Sequence, residues 1–153
     1  MTPDLPALFH AIVRLEIELW NAVEHRLRTE HGIALSWYET LNVVDRIESA
    51  TVNDLVRELT ITVGGASKLS DRIQSAGYLR RIPHPTDGRS SILELTTDGA
   101  HLLEKLRTTV ARALDSLIGQ AIPPDIVQRL TIDIGTLRSN LGGTTTTPES
   151  PTR

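Results

Sequence analysis

The chain has 153 residues, a net charge of −3 and no cysteine. This length fits one domain with a hydrophobic core. The lack of cysteine excludes disulfides, thiolate metal sites, cysteine nucleophiles and thiol-based redox sensing. Aromatic residues make up only 3% of the chain, so its core must be built from aliphatic side chains, which favours a mainly helical protein.

The sequence carries no signal for secretion or membrane insertion. Residues 1–8 lack the basic start and the long apolar run of a signal peptide. No stretch approaches the roughly 18 uninterrupted apolar residues of a membrane-spanning helix. We therefore expect a cytoplasmic protein with no membrane partner.

Positive charge is concentrated in one segment of this acidic chain. Between Thr62 and Ser91, five lysine and arginine residues stand against two aspartates, so the segment carries +3 and the remainder −6. Because contacts with phosphate supply most non-specific affinity for nucleic acid, a local basic surface is sufficient for DNA binding.

Two helices are predicted in the first third of the chain. The first covers about residues 5–31, and its apolar residues alternate spacings of three and four, as in helices that pack in coiled-coil fashion. Ser36 and Glu39 form a capping-box pattern that predicts the start of a second helix, ending near Glu48. The stripe of the first helix consists of Leu5, Leu8, Ile12, Leu15, Leu19 and Ala22.

The next two helices are short and close together. Thr51 with Asp54 predicts a capping box for a third helix of about two turns. After a break at residues 59–62, a fourth helix is predicted from Val63 to about Ala76, with Gly77 as its C-terminal stop. Two helices joined by such a short turn indicate a helix-turn-helix.

The hydrophobic period changes from 3.6 toward 2 after Gly77. Residues 78–82 and 91–95 are predicted to pair as a β-hairpin around a tip rich in proline, aspartate and glycine. Thr96 or Thr97 caps a long helix to about residue 118, and a last helix starts at Pro123-Pro124-Asp125. The polar tail at 142–153 is predicted to be disordered.

These elements predict a mainly α fold with a small β-hairpin wing, in one domain over residues 1–153. The winged helix-turn-helix covers 34–96, and the flanking helices at 5–31 and 98–141 form a helical dimerisation region. Their apolar stripes exceed what one small domain can bury, which favours a partner chain. The alternative is that these helices pack only within the monomer.

The fourth helix is the predicted reading helix, because a helix of this size fits the major groove. With Thr62 as N-cap, the backbone N–H groups of Gly64 and Gly65 have no helical partner and suit phosphate oxygens. Ser67 and Lys68 are the best candidates for contacts in the groove, with Arg72 on the same face. The alternative is that the two glycines only loosen the turn.

The hairpin tip supplies a second candidate contact. Arg89 would be carried beside the minor groove, whose negative potential attracts guanidinium groups. Asp87 could hold the Arg89 side chain or pair with Arg72, thereby orienting the hairpin on the reading helix. The alternative is that Arg89 is an ordinary solvated arginine of a turn.

Several short motifs follow one another in a fixed order along the chain. They are Gly64-Gly65-Ala66-Ser67-Lys68-Leu69, Asp71-Arg72-Ile73, Gly77-Tyr78-Leu79-x-Arg81, Asp87-x-Arg89-Ser90 and Leu95-Thr96-x-x-Gly99. With this set the chain resembles the MarR family of bacterial transcriptional regulators, closely from Ser36 to about Leu103 and by pattern alone in the flanking helices. The resemblance implies a winged helix-turn-helix, dimerisation through the terminal helices and binding to short pseudo-palindromic operators in double-stranded DNA.

The resemblance also implies a small-molecule effector, bound between the dimerisation helices and the reading domain. The matching residues are Trp37 and Tyr38, with His10 and Arg14 from the first helix of either subunit. An aromatic wall with a cation suits an aromatic carboxylate or a phenol. The alternative is a core tryptophan and a surface arginine.

The sequence gives little support for catalysis or metal binding. The sequence lacks a nucleophile elbow, a phosphate loop and a zinc-protease motif, which argues against an enzyme. We expect no cofactor and no metal, because His25 and His31 lack a recognisable ligand spacing and fit solvated histidines near a helix end. A repressor released by a ligand is the leading hypothesis. A winged-helix interaction module and a regulator without a ligand remain alternatives.

Overall fold

The computed structural model describes residues 2–142, so the predicted tail lies outside the described residues from 143 onward. It confirms the mainly helical fold with one two-stranded antiparallel hairpin. The elements in chain order are α1 (Leu5–His31), α2 (Leu35–Arg46), α3 (Val52–Leu59), α4 (Val63–Ser75), β1 (Leu79–Pro83), β2 (Ser91–Leu95), α5 (Thr97–Leu114), a π-helical turn (Asp115–Gly119) and α6 (Pro124–Gly142).

The first helix is capped at both ends and buries only its C-terminal half. Asp4 accepts a hydrogen bond from the backbone N–H of Ala7, and Gly32 ends the helix at a left-handed φ of 69°. Val23 and Leu27 are buried, whereas the apolar residues of the N-terminal half are exposed. These are Leu5, Leu8, Phe9, Ile12, Val13, Leu15 and Ile17.

The predicted capping box of α2 is wrong. Ala34 is the N-cap, and Ser36 and Glu39 lie inside the helix. The carboxylate of Glu24 on α1 accepts the N–H of Leu35 at 2.5 Å, so a residue eleven positions upstream does the capping. The helix therefore begins one residue before the expected serine, and its end at Arg46 precedes the expected end near Glu48.

The short helices α3 and α4 match the sequence prediction. The backbone N–H and the hydroxyl of Thr51 both donate to Asp54 Oδ2, at 2.8 and 2.9 Å. A left-handed Thr60, at φ 54°, redirects the chain between the helices. Thr62 caps α4, and Gly77, at φ 87°, follows its end. The helix-turn-helix is therefore formed by local capping and turn geometry.

The hairpin pairs β1 and β2 from Leu79 opposite Leu95 to Pro83 opposite Ser91. Thr96 closes it, because its hydroxyl donates to Gly77 O at 2.6 Å and accepts the Gly99 N–H at 3.0 Å. A Cβ on Gly99 would lie 2.0 Å from the carbonyl oxygen of Tyr78, so only glycine permits this close approach. The first turn of α5 is thus fixed against the start of the hairpin.

The chain divides into two compact units, which meet in sequence at Ala113 and Leu114. The first holds an aliphatic core made of residues from α1 to α5. Its largest fully buried apolar side chains are Leu27, Leu41, Leu55, Ile73, Leu93, Leu103 and Leu106. In the second unit, α6 exposes large apolar side chains. They are Ile126, Leu130, Ile132, Ile134, Leu137 and Leu141.

A polar network joins α1 to α5. Thr109 donates to Glu30 at 3.0 Å and lies 2.8 Å from His31 Nε2, while Arg112 bridges to the same Glu30 oxygen at 2.6 Å. The hydroxyl of Thr109 and the charge of Arg112 hold the pKa of Glu30 below its ordinary value. His31 is therefore half-buried and hydrogen-bonded, rather than solvated as expected.

Within residues 2–142, no helix is long and apolar enough to cross a membrane. The same residues contain no group of three histidine or acidic side chains that could hold a metal ion.

Candidate nucleic-acid interface

The N-terminal turn of α4 differs in one detail from the expectation. Thr62 Oγ1 accepts the N–H of Gly65 at 3.1 Å, so this donor is satisfied within the chain. Gly64 is exposed, and a Cβ added to it would meet nothing within 4 Å. A Cβ on Gly65 would lie 3.1 Å from the Thr62 hydroxyl. Gly65 thus fits the cap, whereas nothing in the described chain requires glycine at position 64.

Three cations of the basic segment are exposed and have no ion pair among residues 2–142. Lys68 and Arg72 lie on α4, and Arg89 lies at the hairpin tip. The other two are paired: Arg80 with Glu94 across the hairpin at 2.7 Å, and Arg81 with Asp71 at 2.7 Å. The uncompensated positive charge of the segment is therefore carried by α4 and the wing.

Ser67 is the remaining α4 residue that the sequence singles out. It is half-buried, and its carbonyl oxygen accepts the hydroxyl of Ser70 at 2.9 Å. Its own hydroxyl has no partner among the described residues. The side chain is therefore free to donate or accept one position before Lys68.

The wing tip is held by side chains that bond to its backbone. Asp87 Oδ1 accepts the N–H of Arg89 at 3.0 Å, and it pairs neither with the Arg89 guanidinium nor with Arg72. His84 Nδ1 accepts the N–H groups of Thr86 and Asp87, at 3.3 and 3.2 Å. This role of His84 was not predicted, and its signal in the sequence is its place between two prolines in the tip.

Arg81 connects the wing to α4. Its Nη2 donates to Ser70 Oγ and to Asp71 Oδ1, both at 2.7 Å, and thus joins β1 to α4. The Nε of the same guanidinium is buried without a hydrogen-bond partner in the described chain. Arg81 appeared in the family motif, but spacing alone did not indicate this role.

The four candidate ligand residues do not line one cavity within a single chain. Trp37 lines a cavity of about 260 Å³ and packs edge-on against Tyr78 at 6.2 Å between ring centroids. The cations in the wall of this cavity are Arg28 and Arg72, and His10 and Arg14 do not line it. The other three candidates lie elsewhere: His10 is exposed, Arg14 is exposed and pairs with Glu18 at 3.5 Å, and Tyr38 packs against the core. A contribution from a second subunit, which the family resemblance allows, stays a prediction.

A neighbouring cavity of about 210 Å³ shares Ser36 and Leu69 with the first. Its walls are mainly apolar, but Glu39 and Glu58 also line it. Burial raises the pKa of Glu39, whereas the hydrogen bond from Arg46 lowers the pKa of Glu58 despite partial burial. Glu39 was predicted to belong to a helix cap, so its place in this cavity was not expected.

Comparison with known proteins gives a consistent result. The MarR family model matches residues 31–90, from the end of α1 to the hairpin tip. The multiple antibiotic resistance protein MarR of Escherichia coli K12 is 26% identical over 132 residues, which span 82% of this chain and 86% of that protein. MarR of Salmonella typhimurium is 28% identical over the same shares.

Solved structures share the fold over nearly the whole chain. AbsC, a MarR family transcriptional regulator from Streptomyces coelicolor, aligns with a TM-score of 0.82 at 18% identity, covering 94% of this chain and 99% of AbsC. Another MarR family regulator from the same organism, solved in complex with DNA, aligns with a TM-score of 0.81 at 17% identity, covering 92% and 93%. A mutant of E. coli MarR complexed with operator DNA aligns with a TM-score of 0.77 at 22% identity, covering 88% and 95%. In the ordered motifs of α4 and the wing and in its fold, the chain is therefore similar to MarR family transcriptional regulators.

Proposed function

We propose that this protein is a homodimeric, sequence-specific DNA-binding regulator, and that it represses transcription until a small ligand releases it from a pseudo-palindromic operator. The DNA-binding part of this proposal rests on Lys68, Arg72 and Arg89. Each is exposed and has no ion pair in the described chain, and they lie on α4 and at the tip of the wing. Two structural relatives solved with DNA support it.

In this proposal α4 enters the major groove and the wing follows the adjacent minor groove. The exposed backbone at Gly64 approaches a phosphate, while Ser67 and Lys68 reach base edges. Arg89 enters the minor groove, with its backbone held by Asp87. Arg72 lies one turn beyond Lys68 and supplies a further phosphate contact.

The homodimer is supported by apolar side chains that the single chain leaves uncovered. On α1, Leu5 is 63% exposed and Leu15 56% exposed, and α6 carries a similar set. Such an extent of exposed apolar surface favours burial against a second copy. A two-fold dimer would read half-sites about one helical turn apart, roughly 10 bp centre to centre.

An aromatic or phenolic acid is the proposed ligand, and the Trp37 cavity is its best-supported position in one chain. Trp37 offers an aromatic face, and Arg28 and Arg72 offer cations. Arg28 is already paired with Glu24, whereas Arg72 has no ion pair in the described chain. An anion bound at Arg72 would therefore compete with the DNA phosphate.

A mobility-shift titration on the DNA upstream of the protein's own gene tests the DNA-binding proposal. Lys68→Ala and Arg89→Ala should each weaken binding at least tenfold, because each removes a cation that the proposal places in a DNA groove. Lys105→Ala is the matched control, because Lys105 is an exposed lysine on α5, and it should bind like wild type. If wild type gives no shift at moderate salt, the winged-helix interaction module becomes the better hypothesis.

The ligand proposal has its own test. Thermal unfolding with benzoate, phenol and related compounds should show a melting temperature that rises with ligand concentration, since binding to the folded protein stabilises it. Arg72→Gln should reduce that rise for benzoate more than for phenol, because only benzoate carries a full negative charge. No stabilisation across a broad panel would leave a regulator without a ligand.

A further inference from the structure

The cavity beside Glu39 differs from the Trp37 cavity in the charge of its lining. Carboxylates line the Glu39 cavity, whereas arginines line the Trp37 cavity. Four helices and one turn contribute to it, all within the first compact unit. Its lining residues are Trp20 from α1, Ser36 and Glu39 from α2, Glu58 and Leu59 from α3, Ile61 from the turn and Leu69 from α4.

The two carboxylates in this cavity are not equivalent. Glu58 is neutralised, because Arg46 bonds to it at 2.6 Å and Arg57 lies at 3.6 Å. Glu39 has no hydrogen bond or ion pair with any residue in the range 2–142, although it is half-buried. A half-buried carboxylate without a partner destabilises the protein unless something compensates its charge. The cavity therefore holds, among apolar walls, one carboxylate that has no ion-pair partner in the described chain.

We propose that this cavity binds a compact aromatic ammonium cation, with Glu39 as its counter-ion and the indole of Trp20 as its aromatic wall. A quaternary or primary ammonium group supplies the missing positive charge to Glu39. Indole faces attract such cations through the ring quadrupole, most strongly where water is partly excluded. Leu59, Ile61 and Leu69 provide apolar surface for the remainder of the ligand.

The location of the cavity gives binding a regulatory consequence, which rests on the proposed DNA-binding function. Leu69 belongs to the reading helix, and Trp20 lies on α1, which carries the apolar surface proposed for dimerisation. A ligand that contacts both helices favours the arrangement of α1 and α4 to which it binds best. DNA affinity should therefore change when the cavity is filled.

Isothermal titration calorimetry with benzyltrimethylammonium tests the site directly. Benzyl alcohol and phenylacetate are the neutral and anionic comparison probes of similar size. Wild type should bind the cation at one saturable site per chain, at least tenfold more tightly than either comparison probe. Glu39→Gln, which keeps the shape of the side chain and removes its charge, should weaken cation binding at least tenfold.

Two further variants keep the test sharp. Glu48→Gln is the matched control, because Glu48 is an exposed glutamate outside the cavity, and it should bind like wild type. Trp20→Leu should weaken cation binding severalfold while leaving the thermal unfolding transition in place. Equal binding of all three probes, no saturable cation binding, or a Glu39→Gln variant that binds like wild type would overturn the proposed site.

The regulatory consequence is measured separately, by the same mobility-shift titration with and without saturating cation. A change of at least threefold in wild type, absent in Glu39→Gln, supports it. If DNA binds but the cation has no effect, the coupling is wrong although the site stands. If the cation binds but no DNA shift occurs under any condition, the DNA-binding function fails while the cation site stands.

Discussion

Gly64 and Gly65 stand side by side in the first turn of α4, yet they are constrained differently. A Cβ at position 65 would lie 3.1 Å from the Thr62 hydroxyl that caps the helix. At position 64 the same Cβ would meet no atom within 4 Å. Glycine in a helix costs about 1 kcal/mol relative to alanine, so Gly64 lowers stability without a packing reason in the described chain.

A Gly64→Ala variant should separate stability from DNA binding. We expect the free energy of unfolding to rise by up to about 1 kcal/mol, because alanine has the higher helix propensity. DNA affinity should fall at least tenfold, because the added methyl group blocks the approach of a phosphate to the backbone. Urea unfolding and mobility shift measure the two effects.

Gly135→Ala is the matched control, since Gly135 is an exposed glycine within α6 and also has open space around its Cβ position. It should stabilise the protein similarly and leave DNA affinity unchanged. A Gly64→Ala variant that binds DNA as tightly as wild type would mean that the backbone at Gly64 does not approach the DNA closely.

At the scale of elements, the carboxylate of Asp54 ties the stability of α3 to pH. Burial alone would raise the pKa of Asp54, but hydrogen bonds from Thr51 and the charge of Arg57 outweigh it and hold the pKa below its ordinary value of 3.8. A depressed pKa means that the folded protein favours the ionised carboxylate. This stabilisation is complete well above pH 3.8 and is lost as the pH falls through the lower folded-state pKa.

Asp54→Asn should therefore lower stability at pH 7 by about 1 kcal/mol, the usual cost of losing a helix cap. The difference from wild type should shrink as the pH falls below about 4, because wild type then loses the same contribution. Urea unfolding at a series of pH values measures this. A stability difference that stayed constant down to pH 2 would show that charge on Asp54 does not contribute.

Arg81 connects the wing to α4 through hydrogen bonds to Ser70 and Asp71. Arg81→Ala should lower the free energy of unfolding by about 1–3 kcal/mol, because the guanidinium is half-buried and charge-assisted hydrogen bonds are lost. DNA affinity should fall as well, because the wing loses its position relative to α4. Chemical unfolding and mobility shift measure both quantities.

Arg80→Ala is the control on the same strand. Arg80 is 64% exposed and pairs with Glu94 across the hairpin, so its loss should change stability by less than about 1 kcal/mol. If the two variants behaved alike in both assays, the Arg81 contacts would have no special role in positioning the wing.

Local signals in the sequence were enough to predict α3, α4 and the hairpin. The partners of Thr51 and Thr62 lie three residues away, and a change of hydrophobic period marks the two strands. The start of α2 was mispredicted because its capping carboxylate, Glu24, comes from another helix. Contacts across about ten or more residues leave no periodic signal in a single sequence.

The candidate site shows the same division. The positions of Lys68 and Arg72 on α4 and of Arg89 at the hairpin tip were predictable from the sequence pattern, and their contact with DNA stays a prediction. The contacts of Arg81 with α4 and of Thr109 with Glu30 were not, because they depend on how elements pack. The sequence around Glu39 is compatible with a capping box and also with a residue that lines a cavity. Only the three-dimensional structure shows that Glu39 lines the cavity.

At the scale of the whole molecule, the apolar stripe of α1 is the strongest reason to expect a dimer. Leu8 is 50% exposed and Ile12 46% exposed, on a helix with a regular three-four spacing. A double variant, Leu8→Glu with Ile12→Glu, would place two charges in any interface formed by this stripe, where unpaired buried charges are strongly unfavourable. We expect the variant to sediment as a monomer. The protein concentration at which half of the dimer dissociates should be at least a hundredfold higher than for wild type.

The consequence for DNA follows from symmetry, because a monomer engages only one half-site of a palindromic operator. Mobility shift should show at least a hundredfold loss of affinity for the full operator, with little change for an isolated half-site. His25→Glu is the control, since His25 is exposed on α1 outside the stripe, and it should stay dimeric. If the double variant remained dimeric, or bound the full operator like wild type, α1 would not be the element that holds two copies on DNA.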